Sequence, residues 1–186
     1  MHRLGNDIID LNLAKTQSNW ERKGFLEKQF TEQEQEIILN STNSFLQVWL
    51  FWSMKEAAYK CYTQEFPKRF FNPKKIICSI DSEDRNTVTI YARKFHITYS
   101  LNKNYIHTIA FTDDEKKLFS NSFFIGENEH QTLKTYKQLL CNFDTNVQLK
   151  KNQIGVPFLY QKGKKLPVSI STSHHGNYGA FAFSHL

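Results

Sequence analysis

Long apolar runs are missing from this chain. No stretch approaches the roughly 18 uninterrupted apolar residues of a membrane-crossing helix. A cysteine framework is missing as well: Cys61, Cys78 and Cys141 are odd in number, far apart and without a C-x-x-C pair. Such a set fits a reducing cytoplasm better than a disulfide scaffold. With 7 Gly and 4 Pro in 186 residues, low-complexity linkers are not expected. The N-terminus passes from Met-His-Arg straight into Leu4-Gly5-Asn6-Asp7, without the apolar segment of a secretory signal. The expectation is one soluble, cytoplasmic domain with a true core.

Aromatics and positive charge are what the chain does have. Sixteen Phe and 8 Tyr are available to fill a core, and the net charge of +6 favours an anionic partner. Nucleic acid, a membrane surface, an acidic protein and a phosphorylated small molecule all satisfy that condition.

Ser44 to Tyr62 contains no Gly or Pro and is apolar throughout, which predicts a largely buried helix with Thr42 or Asn43 as its N-cap. Near its end lies Trp52-Ser53-Met54-Lys55-Glu56-Ala57-Ala58-Tyr59-Lys60. On a helix Glu56 and Lys60 share one face, roughly 6 Å apart at Cβ. They are either an ion pair or a metal ligand beside a phosphate-binding cation. Leu4 to Leu11 reads as a strand, with Gly5 allowing close backbone approach. An acid within such a strand is costly unless it is paired or holds a cation, so Asp7 joins the candidates, with a solvated edge strand as the alternative.

Trp20 to Phe30 and Thr31 to Leu39 are helical in composition, and Thr31 with Glu34 forms a capping box. Pro67 and Pro73 bracket Lys68-Arg69-Phe70-Phe71-Asn72, a basic aromatic loop that anchors to the core or lines a nucleotide pocket. Alternation predicts strands over Lys75 to Ile80, Thr87 to Ala92, Phe95 to Leu101 and Tyr105 to Phe111, antiparallel because their connections are short. Gln131 to Asn142 reads as an amphipathic helix. Val147 to Lys151 and Val156 to Tyr160 read as strands, followed by a basic turn at Lys162, Lys164 and Lys165. Val168 to Phe183 reads as a strand, a polar turn and a second strand of small and aromatic residues. His96 and His107 read as structural histidines. The fold class expected is α+β, with helices packed on an antiparallel sheet.

Three segments taken together resemble the 4'-phosphopantetheinyl transferase superfamily: Gly5-Asn6-Asp7, then Trp52 to Lys60 (Trp-x-x-Lys-Glu-Ala followed by Lys), then Ser171-Thr172-Ser173-His174. Their order is that of the small holo-acyl-carrier-protein synthase type, which is also similar over Gly5 to Leu11 and Phe25 to Thr31. The likeness covers the first ~80 and last ~30 residues, judged by motif context. Position 9 is Ile where the larger type carries a third acid, and Lys28 stands where the small type tends to have Arg. The stretch over 75–150 is longer than a minimal member needs, within a single domain spanning 1–186.

The resemblance implies transfer of phosphopantetheine from coenzyme A to a serine of an acyl or peptidyl carrier protein, in fatty-acid, polyketide or peptide synthesis. Asp7 and Glu56 would hold Mg²⁺, Glu56 and Lys60 would act in catalysis, and Ser173, His174, Lys55 and Lys60 would bind the cofactor. The Lys162 to Lys165 turn is a secondary candidate for the phosphates. Arg22, Lys23 and Lys28, with Lys15, would meet the acidic carrier. Small members assemble as trimers with shared sites; the enlarged middle region offers completion within one chain instead. The competing reading is a nucleic-acid-binding module with an aromatic sheet surface. A two-histidine metal site at His174 and His175 is a sharper alternative for that pair.

Overall fold

Gly5 sets the distance between the two elements on which the rest depends. Strand β1 (Leu4–Asp10) lies against helix α4 (Ser44–Glu65) so closely that a Cβ at position 5 would run into the Ala57 carbonyl oxygen and the Cys61 nitrogen. Only glycine permits that approach. The structure is a computed structural model describing residues 3–70, 72–80, 86–112 and 118–185. Phe71 and most of the turn expected at Asp81 to Asn86 lie outside the described residues.

Helix α4 begins at Asn43, whose side chain accepts a hydrogen bond from Leu46 N at 3.0 Å, and it ends before Pro67. It is apolar nearly all round because it is covered nearly all round. One side packs on a five-stranded antiparallel sheet of order β1-β5-β4-β3-β2, with β2 Ile76–Ser79, β3 Thr87–Ile90, β4 Arg93–Leu101 and β5 Tyr105–Phe111. The other side meets α3 (Glu32–Asn40). Val48, Phe51, Met54, Ala57, Ala58 and Cys61 of α4 are fully buried. The expected capping box is present: Thr31 Oγ1 accepts from Glu34 N (3.3 Å) and Glu34 Oε2 accepts from Thr31 N (2.8 Å).

The segment before it is less helical than expected. Helices α1 (Leu11–Gln17) and α2 (Phe25–Gln29) flank turns over 18–24, and Gly24, at φ +81°, breaks the Trp20 to Phe30 run. In the meander, the chain reverses at Tyr91 (φ +54°), so β4 starts two residues earlier than alternation implies. Phe95 and Phe111 of that meander are buried, which removes them from the aromatic stacking surface that a nucleic-acid reading requires.

The second half builds two smaller sheets, β10-β11-β6 and β7-β8-β9. Their strands are β6 Leu118–Phe124, β7 Val147–Lys151, β8 Pro157–Gln161, β9 Lys164–Lys165, β10 Val168–His175 and β11 Tyr178–His185. Helix α5 (Gln131–Leu140) packs on β10 and β11, and Leu139, Leu159, Ile170, Phe181 and Phe183 form the core there. Strand β6 was not expected; its Ser120-Asn121-Ser122 centre breaks the alternation, and pairing with β11 holds it.

Strand β10 covers the open edge of β1. Asn6 N donates to Ser171 Oγ (2.9 Å) and Asp10 N to His175 Nδ1 (2.9 Å), so side chains satisfy backbone donors that a sheet edge would leave exposed. Asp10 completes the joint, capping α1 through Oδ1 and accepting from Asn177 N through Oδ2 (3.0 Å). Among the described residues, no helix is long and apolar enough to cross a membrane.

Candidate active site

Lys60 reaches from α4 to β1. Its ammonium donates to Asp7 Oδ1 and to the Asn6 carbonyl oxygen, both at 2.9 Å. The two side chains are 31% and 11% exposed, so the pair opens on solvent from the lysine side. The second Asp7 oxygen, Oδ2, is buried and has no hydrogen-bond partner. A buried carboxylate oxygen without a donor is costly, and among the described residues none donates to this one.

Glu56 lies one turn before Lys60. Burial, and then the negative charge of Asp7, raise its carboxyl pKa above the usual range, against a lowering influence from Lys60. The expected Glu56–Lys60 proximity is therefore real, but the ion pair of Lys60 is with Asp7. Among the described residues, no three His, Cys, Asp or Glu side chains group as a metal cage. Asp7 and Glu56 supply two carboxylates, a donor set of the hard-oxygen kind that suits Mg²⁺ with water or phosphate oxygens in its remaining positions.

Lys55 corrects an expectation. Its ammonium donates to Glu34 Oε2 (2.7 Å), Gln29 O (3.0 Å) and Pro73 O (3.0 Å), and its side chain is 4% exposed. All three ammonium protons are spent inside the protein, which leaves none for a cofactor.

The Ser-x-Ser-His segment divides by strand alternation. Ser171, Ser173 and His175 face β1, whereas Thr172 and His174 face the other way. Ser173 is buried and its hydroxyl accepts from Asn6 Nδ2 at 3.0 Å, so it fixes the residue beside Asp7 where a cofactor contact was expected. Asn6 Nδ2 also lies 3.3 Å from His107 Nε2, and burial followed by the Lys60 charge lowers the His107 pKa to about 4. His174 is exposed, with Nε2 3.1 Å from Thr132 Oγ1. His175 bonds through both nitrogens, Nδ1 from Asp10 N and Nε2 to Gln17 Oε1 (2.8 Å), as befits a structural residue. Those partners leave no two-histidine metal site.

A cleft of about 560 Å³ opens beside Lys60, with Arg69 and Phe70 of the basic loop on one side and Lys151 and Thr172 on the other. The loop is marked by its sequence; Lys151 is not, because nothing local distinguishes it from Lys150. Lys162, Lys164 and Lys165 are exposed, and Lys165 Nζ sits 3.5 Å from the Phe158 ring centroid in an adjoining hollow. Arg22, Lys23 and Lys28 are exposed around α2, Arg22 over the Phe25 ring.

Solved structures similar to this chain include an apo-ACPS from Chronobacterium ammoiniagenes. It is 15% identical, with 60% of this chain and 95% of that one covered and a TM-score of 0.49. Mycobacterium tuberculosis acyl carrier protein synthase is 16% identical, over 59% and 94%, TM-score 0.43. A holo-(acyl-carrier-protein) synthase from Bacillus anthracis, in complex with CoA (3',5'-ADP), is 18% identical, over 59% and 93%, TM-score 0.44. No curated protein matches the chain. A family model described as the 4'-phosphopantetheinyl transferase superfamily matches residues 3–110, which include Asp7, Glu56 and Lys60 but not the Ser173-His174 segment. With more than half its length so matched, and with its motifs in the order of the holo-acyl-carrier-protein synthase type, the chain belongs to the 4'-phosphopantetheinyl transferase superfamily.

Proposed function

We propose that this enzyme transfers the 4'-phosphopantetheine of coenzyme A to a serine of an acyl or peptidyl carrier protein, with Mg²⁺, and releases adenosine 3',5'-bisphosphate. The observation that carries the reading is the buried, unpartnered Oδ2 of Asp7, held beside Lys60 and electrostatically coupled to Glu56. A pyrophosphate under attack needs its charge neutralised, and one carboxylate oxygen kept free for a cation is what that chemistry asks of a protein.

Asp7 and Glu56 would hold the Mg²⁺, which when bound neutralises phosphate charge. In the transfer, the serine oxygen bonds to the β-phosphorus of coenzyme A, the P–O bond to the bridging oxygen breaks, and the departing nucleotide keeps that electron pair. Glu56 would accept the serine proton. Lys60, held by Asp7 and Asn6, donates to the departing phosphate. Asn6, fixed by Ser171 and Ser173, keeps β1 in place under these groups.

The carrier would approach the exposed Arg22, Lys23 and Lys28, since the net charge of +6 steers an acidic domain toward a basic surface. The three cysteines are unbridged, in keeping with a cytoplasmic site of action. The test is intact-mass spectrometry of an apo carrier incubated with the enzyme, coenzyme A and Mg²⁺. A phosphopantetheine adduct is expected; no adduct on fatty-acid, polyketide or peptidyl carriers would overturn the reading.

A further inference from the structure

The cleft beside Lys60 has walls of two different origins. One wall is α4 and the loop after it, with Tyr59, Lys60, Arg69 and Phe70, all within the family-matched residues 3–110. The opposite wall is made by Lys151, the 152–156 turn and Thr172, all beyond residue 110. The turn is rigid in its own right. Asn152 Oδ1 accepts from Ile154 N (3.1 Å) and Val156 N (2.9 Å), and Gly155 takes φ +90°. Arg69 fastens the two walls together, donating from Nε (3.3 Å) and Nη2 (2.9 Å) to the Ile154 carbonyl oxygen.

Charge and size say what the space takes. Lys60, Arg69 and Lys151 line it, and among the described residues no Asp or Glu does. At about 560 Å³ it falls within the range of nucleotide-sized ligand sites. Tyr59 and Phe70 pack edge-on at 5.2 Å, giving an aromatic wall next to the cations. A smaller hollow of about 250 Å³ shares Gln64 and Pro157 with the cleft and carries Arg3 and Lys165, a second basic position for a ligand with separated phosphates.

We propose that the nucleotide part of the substrate is held within one chain, with Lys151 and Arg69 as phosphate-binding residues and the β7–β8 turn closing the wall opposite α4. This rests on the transferase reading for the identity of the ligand, but the cleft itself does not. On this arrangement a single copy of the chain suffices for cofactor binding.

Lys151 is the residue to change, because among the described residues its side chain holds no other element by an ion pair; its ammonium lies 5.5 Å from the Tyr136 ring centroid. Lys150, next along β7, provides the control: it carries the same charge, stacks over Tyr160 and is not part of the cleft. Calorimetric titration of adenosine 3',5'-bisphosphate into the full chain should show about tenfold weaker binding for Lys151→Glu and little change for Lys150→Glu. The coenzyme A KM should rise similarly for Lys151→Glu, with kcat within about twofold of wild type. Lys151→Ala, milder for folding, should move the same way by a smaller factor. Specific activity should stay constant on dilution to concentrations where light scattering shows monomer. Unchanged affinity in Lys151→Glu, an equal loss in Lys150→Glu, or activity that vanishes as the monomer forms would overturn the inference while leaving the transferase reading intact. Bisphosphate binding weakened by Lys151→Glu in an enzyme that modifies no carrier would support the cleft and overturn the transferase reading instead.

Discussion

Lys55 and Lys60 leave the same helix five positions apart, each to meet a carboxylate, and the two pairs end in opposite conditions. Lys55 and Glu34 are 4% and 1% exposed at 2.7 Å, and every bonding position is filled. The lysine gives its three protons to Glu34, Gln29 and Pro73, while Glu34 accepts from Thr31 N and Cys78 N as well. Lys60 and Asp7, at 2.9 Å, are more open, and Asp7 Oδ2 is left with nothing. A buried ion pair is tolerable when its remaining donors and acceptors are all satisfied; one that keeps a lone oxygen in reserve is poised for a ligand. The contrast separates a strut from a candidate site on one helix, where composition alone makes them look alike.

The largest effect expected from breaking that contrast is catalytic. Asp7→Asn and Glu56→Gln should each lower the rate of carrier modification by about 100-fold or more, since each removes charge from the reacting centre. Initial rates by intact mass, with Mg²⁺ varied, would show it; an unchanged Mg²⁺ dependence would remove that residue from the site. Breaking the other pair should instead unfold. Lys55→Met leaves Glu34 charged and buried, at a cost of about 3–5 kcal/mol in a urea melt. A loss below about 1 kcal/mol would mean the pair is not the strut its bonding suggests.

Acid should weaken the Asp7 side in a predictable window. His107 is neutral when folded, with its pKa lowered from 6.5 to about 4, so between those values the unfolded chain binds more protons and stability rises with pH. The contribution, on the order of 3 kcal/mol, is present above pH 6.5 and is lost as pH falls toward 4. Urea melts across that interval, repeated with His107→Gln, should show a shallower slope in the variant. Smaller still is the surface term: reversing Arg22, Lys23 and Lys28 to Glu should raise the carrier KM by about fivefold at low salt and less at high salt. The finest test is spectroscopic. Burial, then Lys60 and Lys151, hold the His174 pKa below its usual value, so adenosine 3',5'-bisphosphate in the cleft should move it upward in an NMR titration. No movement would place the anion elsewhere.

The helix Ser44–Glu65, the Thr31 capping box, the close approach at Gly5 and strands β5 and β7 were legible because each rests on neighbours in sequence. The motif that marks Asp7, Glu56 and Lys60 as candidates is local too, even though the Lys60–Asp7 pairing is not. Strand β6 was hidden because pairing with β11, not its own pattern, makes it a strand. Lys55 misled because nothing in Trp52 to Lys60 reveals that Glu34 waits for it. Ser173 misled because alternation along β10 turns it toward Asn6. Lys151 was invisible: it lines the same cleft as Arg69 and Lys60 only through the packing of the second half on the first.

The distinction between strut and site comes down to Asp7. The rate of phosphopantetheine transfer by Asp7→Asn, followed by intact mass beside the wild type with melting temperatures taken on the same samples, addresses it most directly. The arrangement of Asp7, Lys60 and Glu56 predicts a rate at least about 100-fold lower at a nearly unchanged melting temperature. A rate within about twofold of wild type, or a loss fully explained by unfolding, would contradict it.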